Sequence, residues 1–324
     1  MRIKIWGARG SLPAPLAPAD VESRIRSLFS GFFDAGFTTP AQVDSYLRGV
    51  PVHQLSGFGG NTPCIEIKSA TQQVIIDGGS GLRALGAEMM NGPCGKGMGE
   101  VHLAFTHFHW DHLIGLPFFA PIFLKGNRIH VYSVQPDLKQ VFQTVFKKPY
   151  FPVPLEKLGA RIEYHQVEPR KPFSIGDVQL TPYLLDHPDP CWGYRVESGG
   201  RAYAHCVDTE CTRFSEDELG DDRPLYQNAD LMIFDAQYTL KEHIEKVDWG
   251  HASAALGLDL AIREGIKRVI FMHHDPSGGD EKVAEAEAQA RHYFQNLVKD
   301  ARRSGATIPH VQWEFAVEGM EIQL

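Results

Sequence analysis

Short apolar runs, each closed by glycine, proline or aspartate, dominate the chain. Ile3–Trp6, Cys64–Ile67, Val74–Ile76, Val101–Phe105, Arg128–Ser133, Arg161–Gln166 and Val178–Leu184 have the length and β-branched content of strands. So do Gly193–Glu197, Arg201–Val207, Leu231–Phe234, Arg268–Met272, Val311–Phe315 and Met320–Gln323, with Gly176-Asp177 and Gly199-Gly200 as turns. Helical stretches fall between them. Leu82–Met90 is one, Ala252–Arg263 stops at Gly265, and the long Asp280–Arg303 stops near Gly305. Strands and helices recur in two broadly similar halves. This predicts an α/β protein, an αββα sandwich of two mixed sheets flanked by helices. No linker, repeat or low-complexity segment divides the chain, so 1–324 reads as a single domain.

One stretch breaks the strand rhythm. Between residues 13 and 58, Val21, Ile25, Leu28, Phe29, Phe32 and Phe33 share one face of a helix. Thr39-Pro40-Ala41-Gln42 then has the form of a capping box with proline at the first helical position, leading to Val43, Tyr46 and Leu47. This is a helical insertion. Extra packing, a homodimer contact and a lid over an active site are all open readings of it.

Composition narrows the setting. The 324 residues are 43% hydrophobic and 22% charged, ordinary for a globular protein. The net charge of −8 leaves no basic footprint, which sets the expectation that the chain does not grip long nucleic acid. A small anionic substrate remains compatible, because bound cations would supply local positive charge. The five cysteines are odd in number and form no C-x-x-C, and no signal-peptide pattern opens the chain, so a cytoplasmic location is expected. Cys64 and Cys206 read as small core residues. Cys191 and Cys211 lie near His187 and Asp208 and are weighed, below that same reading, as extra ligands. The longest apolar run, around Leu116–Leu124, is short and broken by prolines, so no membrane association is expected.

The densest chemistry is Thr106-His107-Phe108-His109-Trp110-Asp111-His112, directly after the apolar run Val101–Phe105. On a loop at a strand end, His107 and His109 can point to one side while Asp111 and His112 turn to a second point nearby. Imidazole and carboxylate are ligands of zinc, manganese and iron, and four from so short a loop suit two adjacent metals better than one.

His107-x-His109-x-Asp111-His112 resembles the signature of the metallo-β-lactamase-fold hydrolases, and the resemblance runs over nearly the whole chain. Asp77-Gly78-Gly79, Asp186-His187-Pro188, Asp208-Thr209-Glu210 and His273-His274-Asp275 resemble its other motifs in order. Gly250-His251-Ala252-Ser253-Ala254, followed by Gly265–Val269, is similar to a late segment of ribonuclease Z and related phosphodiesterases.

The resemblance implies two divalent ions, zinc first and manganese or iron as alternatives. His107, His109 and His187 would hold one, Asp111, His112 and His273 the other, with Asp208 bridging. His274 competes with His273, and the strand-end position favours His273. Asp77 would hold the ligand loop in place. His251, Asp111 and Asp208 form the implied catalytic set, with His251 as general acid and Asp248, three residues earlier, placed to orient it. Tyr194 and Arg195 are further candidates to reach a phosphate.

The expected function is hydrolysis of a small nucleotide or sugar phosphodiester, cyclic ones first, by a hydroxide bridging the metals. Alternatives are an RNA 3′-end nuclease, a lactone or thioester hydrolase, and a non-catalytic metal-bound sensor.

Overall fold

The computed structural model describes all residues, 1–324, as fourteen strands in two seven-stranded sheets with helices outside both. The first half supplies β1 (Arg2–Gly7), β2 (Cys64–Lys68), β3 (Gln73–Ile76), β4 (Glu100–Ala104), β5 (Arg128–Ser133) and β6 (Arg161–Gln166). The second supplies β7 (Phe173–Ile175), β8 (Val178–Leu185), β9 (Cys191–Ser198), β10 (Arg201–Cys206), β11 (Leu231–Asp235), β12 (Arg268–Met272) and β13 (Gln312–Phe315). The last strand, β14 (Glu321–Gln323), crosses back to pair with β1.

The sheet orders are β14-β1-β2-β3-β4-β5-β6 and β13-β12-β11-β10-β9-β8-β7. Both sheets are mixed. In the first, β3 to β6 pair in parallel while β14, β1, β2 and β3 pair antiparallel. In the second, β10 to β13 are parallel and β7 to β10 antiparallel. The αββα expectation is met, down to the similarity of the two halves.

Three apolar layers hold the sandwich. Ile3, Ile5, Ile65 and Val74 of one sheet meet Leu180, Tyr194, Val196 and Ile270 of the other, burying the inner faces together. Leu103, Ile129 and Val131 turn the other way, toward a helical layer with Leu82, Leu85 and Phe142. Phe234, Val269 and Phe271 pack the opposite outer face with Leu258, Ala261 and Ala290. The alternation along β4 and β5 thus sends successive side chains to two different cores.

Ten α-helices complete the chain. The 13–58 insertion carries α1 (Pro18–Asp34), α2 (Val43–Leu47) and α3 (Val52–Ser56). Helix α4 (Gly81–Met89) follows β3, α5 (Trp110–Leu113) lies within the ligand loop, and α6 (Leu138–Val145) follows β5. Later come α7 (Glu216–Leu219), α8 (Leu240–Glu245), α9 (Ala254–Glu264) and α10 (Asp280–Ser304). Both α9 and α10 stop at left-handed glycines, Gly265 and Gly305, as their sequences predict. No helix is long and apolar enough to cross a membrane.

The insertion forms its helix, yet the expected apolar face stays largely open: Phe29 is 63% and Phe33 61% exposed. Within the insertion Phe32 stacks on Phe37 and meets Tyr46 edge-on. Helix α1 is anchored by Arg24 to Asp280, at the start of α10, and Asp280 also pairs with buried Arg9 at 2.8 Å. A groove runs between α1 and the Pro276–Asp280 turn, and no ligand-type side chain of the His107–His112 loop lines it.

Candidate dinuclear metal centre

The site is built at one edge of the sandwich, where strands run out together. Asp77 follows β3, the His107–His112 loop follows β4, His187 follows β8, Asp208 follows β10, Asp235 closes β11 and His273 follows β12. Carboxyl ends of parallel strands are where open α/β sheets place their ligands. Three of these turns are sharp: Asp77, Asp208 and His273 have φ of 64°, 62° and 67°. Left-handed backbone in non-glycine residues is disfavoured and concentrates at functional positions, where the surrounding structure holds it.

The geometry gathers the predicted ligands into two main groups around one carboxylate, and Asp208, Asp235, His251 and His273 form a third, overlapping one. His107, His109, His187 and Asp208 form the first, and Asp111, His112, His273 and Asp208 the second; ligand atoms within each lie inside 4.8 Å of one another. Asp208 is common to both. Its Oδ2 is 3.1 Å from His107 Nε2 and 2.9 Å from His112 Nε2, while Oδ1 is 2.8 Å from His273 Nε2. Asp111 Oδ2 lies 3.2 Å from His273 Nε2 and 3.3 Å from His112 Nε2. His273, not His274, lies within the second group.

Four of the five imidazoles, all but His273, are fixed by their other nitrogen, so the remaining lone pair has a defined direction. Thr106 Oγ1 sits 3.0 Å from Nδ1 of His107, and Asp77 Oδ2 2.8 Å from Nδ1 of His112. Asp189 serves two rings, with its Oδ2 2.8 Å from His109 Nε2 and its carbonyl 2.9 Å from His187 Nδ1. The backbone N–H of Ser11 donates to Asp111 Oδ2 at 2.8 Å. Asp77 also accepts from the Thr106 N–H at 2.9 Å, which locks the start of the loop to β3.

Four buried atoms at the centre have no hydrogen-bond partner: His107 Nε2, His112 Nε2, Asp208 Oδ1 and His273 Nδ1. Two of them, His107 Nε2 and His112 Nε2, crowd Asp208 Oδ2, and His273 Nε2 faces its Oδ1, all within ion-pair distance yet without hydrogen-bond geometry. Buried polar atoms are rarely left so. Atoms converging on a shared point, not on each other, fit divalent cations, and the nitrogen-and-carboxylate donor set agrees.

Electrostatics point the same way. Burial, with His112 beside it, lowers the His107 imidazole to about 4, so its lone pair is free. Burial opposes charge on His112 too, but Asp111, Asp208 and Asp77 outweigh it and hold that imidazole well above its usual range. His273 is likewise pushed up to about 10 by Asp208 and Asp111 against burial. Asp208 is buried, and His273 and His112 hold it well below the ordinary carboxylate range. The cluster carries excess negative charge that draws protons onto imidazoles, and cations would satisfy the same field.

Some sequence-based assignments need correction. Asp248 does not orient His251; its carboxylate is exposed and makes no ion pair with that ring. Asp235 takes the role, with Oδ2 2.8 Å from His251 Nδ1. The loop instead hangs on Glu210, which accepts from the backbone N–H of Asp248 at 2.9 Å and of Gly250 at 3.3 Å. His274 makes no contact with the ligands: its Nε2 lies 2.8 Å from the Ala316 carbonyl and its ring stacks on Phe315. It supports the site only through backbone, accepting from Gly10 beside Ser11. Tyr194 donates to the Phe105 carbonyl and Arg195 to the Pro224 and Gln227 carbonyls, so neither is free for substrate. Cys191 lies behind His107, 3.6 Å from Nδ1, and Cys211 is in the outer core.

The residues missed were Asp235, Glu210 and Asp189. Asp235 had a legible signal, because it ends an apolar strand in the same manner as Asp77 and Asp208. Glu210 and Asp189 act across loops and left no pattern.

Residues 72–274 match the family model of the beta-lactamase superfamily domain. The chain belongs to this family. It is a metal-dependent hydrolase of the metallo-β-lactamase fold, and the family implies divalent metal ions. The hydrolase is 22% identical over 270 residues to a protein named ribonuclease Z from Gloeothece citriformis, covering 67% of this chain and 77% of that one. Among solved structures, the metallo-beta-lactamase fold protein YhfI from Bacillus subtilis superposes with TM-score 0.62 at 15% identity, over 99% of this chain and 98% of the other. Human tRNase Z, short form, superposes with TM-score 0.58 at 15% identity, over 100% and 99%. These names overturn one expectation. Net acidity argued against long nucleic acid, but relatives named for RNA share this chain's sequence pattern, so overall charge does not exclude such a substrate. Net charge counts the whole surface, whereas a phosphate meets the local field of the site.

Proposed function

We propose that the hydrolase cleaves phosphodiesters at this centre, with His251 delivering the proton to the departing alkoxide. His107, His109 and His187 would hold one divalent ion, Asp111, His112 and His273 a second, with Asp208 between them. Divalent ions bound there would lower the pKa of a bound water and neutralise charge on the phosphoryl oxygens.

What carries the reading is His251. Its Nδ1 is fixed by buried Asp235, its ring lies 4.9 Å from that of His273 and 6.2 Å from that of His187, and its Nε2 has no partner within the chain. A ring so held, beside the ligands but not among the two main groups, supplies what cations cannot: a proton at the leaving oxygen. Glu210, through its hold on the Asp248–Gly250 backbone, keeps the ring from drifting.

Two tryptophans favour a nucleotide over a sugar phosphate. Trp110 follows His109, Trp249 precedes Gly250-His251, and both are 63% exposed. Open indole faces flanking a phosphate site are suited to stacking bases. A cyclic nucleotide and an RNA 3′ end both present that chemistry, and the relatives named ribonuclease Z favour the RNA as a second reading. The test is turnover of a 2′,3′-cyclic nucleotide, whose leaving group is an alkoxide, by metal-loaded wild type and His251→Ala. A loss of roughly 10²–10⁴-fold with metal retained supports the assignment; equal turnover removes His251 from the mechanism.

A further inference from the structure

A second cluster of ligand-type side chains lies away from this centre, on the inner face of the first sheet. The parallel register sets His102 beside His130 and His130 beside Glu163, one row across β4, β5 and β6, with Tyr132 beside His165 in the next row. His102, His130 and Glu163 occupy the third positions of β4, β5 and β6, short of the carboxyl ends at which the His107–His112 loop leaves β4. His130 and His165 share ring faces at 5.4 Å between centroids, and His102 stacks on His130 at 4.9 Å.

We propose that His130, Glu163 and His165 bind a further divalent transition cation of the zinc class, with water completing the shell. Their ligand atoms lie within 4.8 Å of one another. His130 Nδ1 is 3.1 Å from His165 Nε2 and 3.5 Å from Glu163 Oε2. Zinc–ligand bonds of about 2.0–2.1 Å in a tetrahedron place ligands about 3.3 Å apart, and these two distances bracket that value.

The proton inventory gives the second reason. In the tautomer that donates its Nε2–H to Glu100 Oε1 at 3.0 Å, His130 Nδ1 is an acceptor. Glu163 faces that acceptor with another. Glu163 Oε1 is paired with Arg161 at 3.0 Å and Arg128 at 3.3 Å, while Oε2, 3.5 Å from His130 Nδ1, is the oxygen left to face an ion. A carboxylate behind a ligating imidazole is also the usual arrangement at metal sites. Burial and the neighbouring His130 keep His165 and His102 below the usual imidazole range, so these rings offer lone pairs, not charge.

The site would clip the edge. β6 ends the sheet order, with no strand beyond it, and the proposed ligands tie it to β5. Three protein ligands leave one position open, so the bound ion is exchangeable.

The test compares zinc stoichiometry of wild type and His165→Asn after equilibration with zinc and removal of free ion, together with zinc-edge anomalous diffraction from wild-type crystals. We expect the variant to hold one ion fewer per chain, with phosphodiester turnover unchanged and an anomalous peak among His130, Glu163 and His165. The difference of one survives even if the central site takes no metal, so the two readings fail separately. Glu163→Gln repeats the count if His165→Asn does not fold. Equal stoichiometry, or a map with no peak among these three residues, overturns the proposal.

Discussion

Asp235, itself fully buried, has Oδ2 2.8 Å from Nδ1 of His251 and ties the end of β11 to the loop that opens α9. A carboxylate in this position selects one tautomer of the ring and one orientation. Asp235→Asn is therefore expected to reduce kcat by about 10–100-fold while KM and metal content change little. The drop should be smaller than that of His251→Ala, because the ring is still present. Equal kcat in wild type and Asp235→Asn contradicts the orienting role.

Asp77 has the corresponding task at the ligand loop. It pairs with His112 Nδ1 at 2.8 Å and accepts the Thr106 N–H at 2.9 Å, from a buried left-handed turn. Asp77→Ala frees His112 to rotate and leaves a buried N–H unpaired. The expected result is metal affinity weakened by roughly 10–100-fold, read by competition with a chelator. Unchanged affinity would show that the loop holds its shape without Asp77.

Asp222 sets an acid limit on the fold. Burial raises its carboxyl, but hydrogen bonds from Arg170 and Arg213, each at 2.8 Å, and from the Leu184 N–H outweigh that and lower it below the ordinary range. A folded value below the unfolded one, about 3.9, adds stability that is present above that pH and lost as pH falls through the folded value. Asp222→Asn should cost about 2 kcal/mol at neutral pH, since both arginines are partly exposed, and the difference from wild type should shrink below about pH 4. Denaturant melts at pH 7 and 3 measure it. A constant difference across that window excludes the ion pairs as its source.

Trp249 bears on substrate class. If the base stacks on its open face, Trp249→Ala should raise KM for a nucleotide diester by about 10-fold, from roughly 1–3 kcal/mol of stacking, and leave bis(p-nitrophenyl) phosphate nearly unaffected. Equal effects on both substrates would assign the tryptophan to the fold.

Much of this was legible in the sequence, for definite reasons. Period-two and continuous apolar runs mark strands because each buries one or two faces, and residues such as Val101 and Leu103 declare the outer core directly. Candidate ligands at strand ends were readable because the chemistry of His107–His112 is dense within one loop. Less visible were interactions between distant segments. Asp248 was the near neighbour of His251 in sequence, but the turn with φ 65° at Asp248 leaves its carboxylate outside, while Asp235 arrives from β11. His274 followed His273 in sequence, and the left-handed turn at His273 sends the two side chains apart. The periodicity of α1 announced a helix correctly but not its environment, since an apolar face left half in solvent has the same pattern as a buried one.

The most direct measurement of the central claim pairs metal analysis with a substrate panel on wild type and Asp208→Ala. Asp208 is the one side chain shared by both ligand groups. Purified protein would be analysed for bound metal, then tried on bis(p-nitrophenyl) phosphate, 2′,3′- and 3′,5′-cyclic nucleotides, a transfer-RNA precursor and a lactone. The account predicts at least two ions per chain in wild type, diester turnover that depends on them, and loss of both ions and turnover in Asp208→Ala. Turnover of the lactone alone, or diester cleavage that persists without Asp208, would contradict it.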